Sequence, residues 1–330
     1  MKRLIKSAAE QVISRAAPLM WRGQKHGSLL VLMYHRVLPA GHPDRPVEQP
    51  GMYVSPETLA MHIQVLREFF EIVHLDEWLG GRSKSGSKPA CALTFDDGWR
   101  DNFDFAFPVL QQAKAPATIF LVSTFIDTDQ EFWPNRLARL LAHRVQRSAL
   151  PKRLADVLRP LFDRSADDVL STYDLDEAIQ LCKGMSDAEM HALLDEAQRS
   201  DGTNHVRSML NREELQAMAA SGLIRYGSHT RTHYRCRANA PATELEREIL
   251  QSRDELASAL NSRVTLFCYP NGDTTPEAVE LVGKGYDAAV TTQKGWLRPG
   301  LNRYLIPRVG VHEDVSARRS SFLTRISCWI

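Results

Sequence analysis

The stretch 94-TFDDGWRDN-102 sets two aspartates, Asp96 and Asp97, side by side between an apolar run and a glycine. Adjacent carboxylates repel each other and aspartate is a poor strand residue, so a pair directly after 91-CALTF-95 requires a reason. One reason is local: Asp-Gly makes turns, and Asp caps helices. The other is a bound cation. In 228-SHTRTH-233, His229 and His233 stand four residues apart; on a helical turn both imidazoles face the same way and can grip one ion. Two histidines and one carboxylate, here Asp97, are a common ligand set for a catalytic divalent metal and leave positions open for water and substrate. Asp96 then remains an unligated carboxylate, placed to take a proton from water.

These groups must be brought together by the elements before them. Short apolar runs recur along the chain: 29-LLVLMY-34, 71-EIVHL-75, 91-CALTF-95, 117-ATIFLV-122, 223-LIRYG-227, 264-VTLFCY-269, 287-DAAVT-291 and 303-RYLIP-307. Near-continuous apolar strands are the signature of parallel sheets covered on both faces. Helical patterns lie between several of them. One opens at Ser55-Pro56, with an N-cap serine and a first-turn proline, and another at Asn211 with Glu214, as a capping box. The alternation predicts an α/β fold, a barrel. Four runs end on reactive groups: His35, then Asp96 and Asp97, then His229 and His233, then Pro270-Asn271-Gly272-Asp273. In parallel barrels functional groups cluster at the C-terminal strand ends, so these distant segments are expected to converge.

TFDDG, SHTRTH and the later turn YPNG together resemble the polysaccharide deacetylases, also called NodB-homology domains or family 4 carbohydrate esterases, over roughly residues 29–126 and 206–311. The resemblance implies a distorted (β/α)7 barrel, here with a helical insertion. It implies that Asp96 is the catalytic base and that Asp97, His229 and His233 hold a divalent metal, most often Zn2+, with Co2+, Ni2+ or Fe2+ as alternatives. It also implies that the backbone N–H of Tyr269 helps hold the oxyanion. Many members carry a late Leu-x-His acid; here that region reads LIPRVGVHED, with His312 beyond the strand run. The early MYHRV is similar to a subgroup, biofilm-polysaccharide deacetylases among them, whose acid is N-terminal, which makes His35 the expected acid ahead of His312. For the arginine that orients the base, Arg263 lies too near the start of its strand, and Arg308, expected at a strand end, takes that role.

The implied activity is removal of acetyl groups from N-acetylated amino sugars in a polysaccharide or glycan precursor. An O-acetyl esterase and a non-catalytic glycan-binding barrel are the alternatives. Trp99 and Trp296 could stack on sugars but are read as core or rim packing, Asp101 as a cap or solvent-facing group, and Asn271-Gly272 as a turn.

The remaining sequence sets bounds. The 330 residues are 43% hydrophobic and 25% charged, with net charge +1, so no global field favours nucleic acid as a partner. Five scattered cysteines read as free thiols, with neither a disulfide framework nor a cysteine metal site. Residues 1–26 read as a basic amphipathic helix, 27–126 and 206–315 as two parts of the barrel, 127–205 as the helical insertion and 316–330 as a tail. On the first helix Leu4, Ile5, Ala8, Val12, Ile13 and Ala16 share one face, which either lies on an anionic membrane surface or packs on the protein's own flank. The helix does not read as a secretory leader. The expected location is therefore the cytoplasm, with peripheral contact at the inner membrane through this helix.

Overall fold

The computed structural model describes residues 2–21, 27–82, 88–142, 150–164, 170–198 and 207–329. The apolar runs become strands: β1 Leu29–Tyr34, β2 Arg36–Val37, β3 Tyr53–Val54, β4 Glu71–Ile72, β5 Ala90–Phe95, β6 Ala117–Leu121, β7 Ile224–Ser228, β8 Leu266–Cys268, β9 Ala288–Lys294 and β10 Ile306–Gly310. Seven of these, β1 and β5 through β10, close a parallel barrel in the order β1-β10-β9-β8-β7-β6-β5. Closure comes from β5 pairing back onto β1, from Leu29↔Ala90 to Tyr34↔Phe95. On its other edge β5 pairs first with β4 and then with β6.

The period of two along each strand sorts the side chains. Leu29, Val31, Ala92, Phe120, Cys268 and Val290 meet inside the barrel. Their neighbours Leu30, Leu32, Leu93, Ile119, Phe267 and Ala289 face outward, into a core shared with the surrounding helices. Helix Pro56–Phe69 is capped by Ser55, whose side chain accepts from the Thr58 N–H, and helix Arg212–Ala220 by a capping box of Asn211 and Glu214.

Between β6 and β7 the chain leaves the barrel for helices Trp133–Ala142, Lys152–Arg164, Thr172–Cys182 and Asp187–Gln198. They share a core of their own, with Leu137, Leu154, Leu158, Ile179, Met190 and Leu194 at its centre.

The last strand differs from its sequence pattern. The apolar run at 303–307 predicts a strand ending before Arg308, whereas β10 continues through Arg308 to Gly310. Pairing with β1 (Leu32↔Val309) extends the strand, and a bulge against β9 between Ile306 and Arg308 shifts the register there. Bulges re-aim side chains, and this one lies at the residue that enters the site.

Helix Lys2–Trp21 packs against helix Arg319–Ser327: Thr324 Oγ1 donates to Glu10 O, and Ser320 Oγ donates to Glu10 Oε1. Ala17 and Trp21 are buried, with Trp21 against Phe70 and Trp296 at 5.0 and 6.2 Å. The side chains of Leu4, Ile5 and Ala8 lie outside the described residues, and Val12 is 67% exposed, so the packed face runs through Glu10, Ala17 and Trp21. No described helix is long and apolar enough to cross a membrane. Trp21→Ala should cost about 3–5 kcal/mol of stability, the usual loss for a buried tryptophan. Chemical denaturation measures it; a change under 1 kcal/mol would mean that the helix does not contribute to the core.

Candidate active site

The site forms where β1, β5, β7 and β10 deliver polar residues to one end of the barrel. Beyond β5, the Asp96 N–H continues the ladder to Tyr34 O at 2.9 Å, and beyond β7 the His229 N–H does so to Leu121 O at 2.8 Å. The chain then turns sharply. Asp97 and Gly98 both have left-handed backbones, φ 77° and 81°. The left-handed backbone favours glycine at Gly98, and a Cβ there would lie 2.9 Å from Leu121 Cδ2, so that side chain would have to shift. Asp97 holds a conformation that non-glycine residues rarely adopt, and such strain concentrates at functional sites.

Asp96 lies buried against Arg308. Nη1 donates to Oδ1 and Nη2 to Oδ2, both at 2.7 Å, a bidentate pair. Arg308 is 0% exposed and fully engaged: Nη1 also donates to Thr94 Oγ1, Nε to Thr291 O, and Nη2 lies 3.1 Å from Cys268 Sγ. Burial works to raise the Asp96 carboxyl, but the Arg308 charge and hydrogen bonds outweigh it and hold it below the ordinary carboxylate range.

Asp97 turns its two oxygens to different tasks. Oδ2 accepts from the Trp99 indole N–H at 2.9 Å. Oδ1 faces His229 Nε2 at 3.4 Å and His233 Nε2 at 3.6 Å. His229 is oriented by its other nitrogen, since Nδ1 bonds Cys268 O at 2.9 Å. A tetrahedral zinc ion with ligands at about 2.1 Å keeps them about 3.4 Å apart; the two Asp97–histidine separations match this, and all three ligand atoms lie within 4.8 Å of one another. A second cluster, Asp96, His229 and Cys268, also has its ligand atoms within 4.8 Å of one another. It does not fit a cation: the Arg308 guanidinium already supplies the positive charge, and burial raises the Cys268 thiol away from the thiolate that a metal needs.

The charges within the fitting cluster are complementary. Burial would raise Asp97, but hydrogen bonding to His229 and the nearby His35 and His233 rings hold it well below the usual range. Burial and the neighbouring His229 push His233 down to about 4, the neutral form that a ligand must take. Burial opposes charge on His229 as well, yet Cys268 and Asp97 raise it well above its ordinary value. Of those two, Asp97 carries the charge at neutral pH, because the Cys268 thiol is itself raised.

His35 follows β1, with its Nε2 3.9 Å from Asp96 Oδ2 and its side chain 20% exposed. That gap is one that a substrate atom or a water spans. Asn102 Nδ2 holds the His35 carbonyl at 2.9 Å. His312 stands elsewhere, at the start of helix Glu313–Ser316 with Asp314 as its partner. The structure thus brings together Asp96, Asp97, His35, His229, His233 and Arg308.

Four sequence expectations change. His229 and His233 are not on a helical turn: residues 229–233 form an irregular loop in which Thr230 and His233 have φ 65° and 62°. The Tyr269 N–H is not free to hold an oxyanion, because it donates to Val290 O at 3.2 Å. Strand alternation also turns its ring outward, against Phe267. Asp101 neither caps a helix nor faces solvent; it is buried and accepts from Arg36 Nε and the Val37 N–H, both at 2.8 Å. Arg308 lies within a strand, not at the end of one. Of the two tryptophans, Trp99 is buried beside Asp97, and Trp296 packs in the core and donates to Ile326 O.

Arg36 escaped the sequence reading, although a charged residue directly after a buried strand and a reactive histidine was a signal. It binds Asp44, Glu48 and Asp101 at 2.7–2.8 Å, and its guanidinium lies 4.2 Å from the Trp99 ring centre. Asn135 of the helical excursion joins the same cluster through Glu48 Oε2 at 2.7 Å. Phe132 sets its ring edge against His233, centroids 5.0 Å apart. The excursion therefore supplies part of the wall around the metal-ligand candidates.

Comparison with known proteins bears on the family and the fold. The family model described as polysaccharide deacetylase matches residues 83–148 and 156–287. No curated protein matches the chain by sequence. Among solved structures, the chain is similar to the Streptococcus pyogenes deacetylase PplD in complex with acetate, with TM-score 0.59, 16% identity, and 91% of this chain and 98% of that one covered. It is similar to IcaB from Ammonifex degensii, with TM-score 0.57, 20% identity, and 91% and 98% covered. The BpsB deacetylase domain from Bordetella bronchiseptica gives TM-score 0.52 and 17% identity, with 85% and 94% covered. At these identities the structural likeness speaks to the barrel.

Proposed function

Because the chain belongs to the polysaccharide deacetylase family, we propose that it is a metal-dependent hydrolase that removes acetyl groups from N-acetylated amino sugars in a polysaccharide or its precursor. Deacetylation of a glycan follows from the family; the metal and the amide specificity are the finer reading. The observation that carries it is the division of labour at Asp96 and Asp97, one held by Arg308 and the other shared by two histidines. A divalent cation on Asp97, His229 and His233, with zinc suited to the donor set, would supply polarisation of the acetyl carbonyl and of water.

The chain's own groups do the rest. Asp96 takes the proton of the attacking water, and Arg308 fixes its orientation and keeps it ionised. With the Tyr269 N–H engaged and Pro270 lacking one, the next backbone donor after β8 is Asn271, in a turn with φ 56°. In this reading it faces the developing oxyanion, a donor worth about 3–4 kcal/mol. His35, across from Asp96, protonates the leaving nitrogen. An amine is a far poorer leaving group than an alkoxide unless protonated, so an acid placed here favours the amide over the O-acetyl substrate.

Acetate release from N-acetylated chito-oligosaccharides and from an O-acetylated sugar, with and without chelator, tests the reading. Amide cleavage should be lost on chelation and restored by zinc. His35→Ala should lower it by about 10²–10⁴-fold while affecting the ester less. Activity indifferent to chelation would sink the metal; equal loss on both substrates would sink the role of His35. No release from either substrate by metal-loaded protein would favour a binding barrel.

A further inference from the structure

The loop that carries the two histidines has no helix to hold it, and its spacing must come from elsewhere. One side is tied to the segment after β6: the Thr124 N–H and Oγ1 both donate to Arg231 O, at 3.1 and 2.7 Å. On the other side stands Glu248, a fully buried carboxylate. Its Oε2 accepts from the Arg231 N–H at 2.9 Å and the Thr232 N–H at 2.8 Å, and its Oε1 accepts from Thr232 Oγ1 at 2.9 Å. Successive N–H groups in a loop with left-handed residues form a concavity suited to an anion. Here the anion is built into the chain. It sits in a π-helical segment, Arg247–Gln251, between the α-helical segments Ala242–Glu246 and Ser252–Leu260. Such segments arise where one extra residue rotates the following side chains, and they recur at functional sites. Burying a carboxylate is costly unless donors surround it; among the described residues its hydrogen bonds come from the two residues between Thr230 and His233, and the Arg247 guanidinium lies 3.9 Å from Oε1.

We infer that Glu248 is a positioning residue for metal binding: it clamps the backbone at Arg231 and Thr232 and thereby sets His229 and His233 at the separation from Asp97 that one cation requires. The inference rests on the metal reading of the site. Glu248 touches neither substrate nor ion, so its effect should fall on metal affinity.

The test is the zinc dissociation constant of the full chain, measured by competition with a chromogenic chelator, for the unmodified protein and for Glu248→Ala, Glu248→Gln and Glu248→Asp. Groups that hold ligands in place are typically worth about 10–100-fold in metal affinity, and a loss in that range is expected for Glu248→Ala. Glu248→Gln should recover most of it, because its carbonyl oxygen can accept both N–H groups and its amide can donate to Thr232 Oγ1. In the metal-free protein, hydrogen exchange at the Arg231 and Thr232 amides should speed up in Glu248→Ala. Unchanged zinc affinity in Glu248→Ala, equal losses in the alanine and glutamine variants, or unchanged exchange would each overturn the inference. Should the alanine variant fail to fold, Glu248→Asp keeps the charge but shortens the reach, and unchanged affinity there overturns it equally. If the unmodified protein binds no zinc, the metal reading itself fails and takes this inference with it; that outcome is distinct from a zinc-binding protein indifferent to Glu248.

Discussion

Asp96→Asn should give a protein that binds zinc as the unmodified chain does yet turns over about 10²–10⁴-fold more slowly, the share that a positioned base contributes. The substitution keeps the shape of the side chain and leaves Asp97, His229 and His233 untouched, so ligand separations of 3.4 and 3.6 Å are preserved. What it removes is the capacity to take a proton from water between Asp96 and the metal-ligand cluster. It also leaves a fully buried guanidinium facing an amide, so some stability is lost with the activity. Metal content, thermal unfolding and kcat/KM for acetate release separate these effects. A variant with kcat/KM within tenfold of the parent would remove Asp96 from the base role; a variant that loses its metal would place Asp96 among the ligands.

Arg308→Met should destabilise the fold by about 3–5 kcal/mol, because it leaves the Asp96 charge buried without its partner. The pair has no solvent to fall back on, since Arg308 is 0% exposed. With the guanidinium present, Asp96 lies below the ordinary carboxylate range. A depressed carboxyl contributes stability above its unfolded value, and that contribution fades as pH falls toward the folded one. In Arg308→Met burial, which raises a carboxyl, is opposed only by the His229 and His35 rings, which rank below Arg308 among the groups that lower Asp96. Asp96 then protonates at higher pH, so the acid limb of the pH–rate profile should move upward. Adding Asp96→Asn to Arg308→Met should recover part of the lost stability, since no buried charge is then unpaired. An unshifted acid limb, or a stability loss under 1 kcal/mol, would show that the ion pair is not what holds Asp96.

How much of this was legible follows from where each signal resides. Most of the barrel strands announced themselves because a strand buried on both faces is near-continuously apolar, and that is local, whereas β10 runs on past its apolar run to Gly310. The left-handed turn at Asp97-Gly98 was also local: two acids and a glycine after a strand cannot continue it. The helical reading of His229 and His233 failed because a spacing of four is compatible with a helix but does not require one. Glu248, sixteen residues from Thr232, bends that loop instead. The Tyr269 N–H was misassigned because strand pairing with β9 determines which donors are free. Arg36 and Asp101, sixty-five residues apart, could not be seen as partners at all.

The sequence alone therefore determined the kinds of group available and the strand ends from which they emerge, because residue type and periodicity are properties of short segments. The family resemblance had already assigned Asp97 to the histidines and Asp96 to Arg308, 212 positions away; only the tertiary structure shows the contacts that realise that choice. Those contacts depend on barrel closure and on a bulge in the last strand. Both are fixed by hydrogen bonds between segments whose order in the chain carries no record of their distance in space.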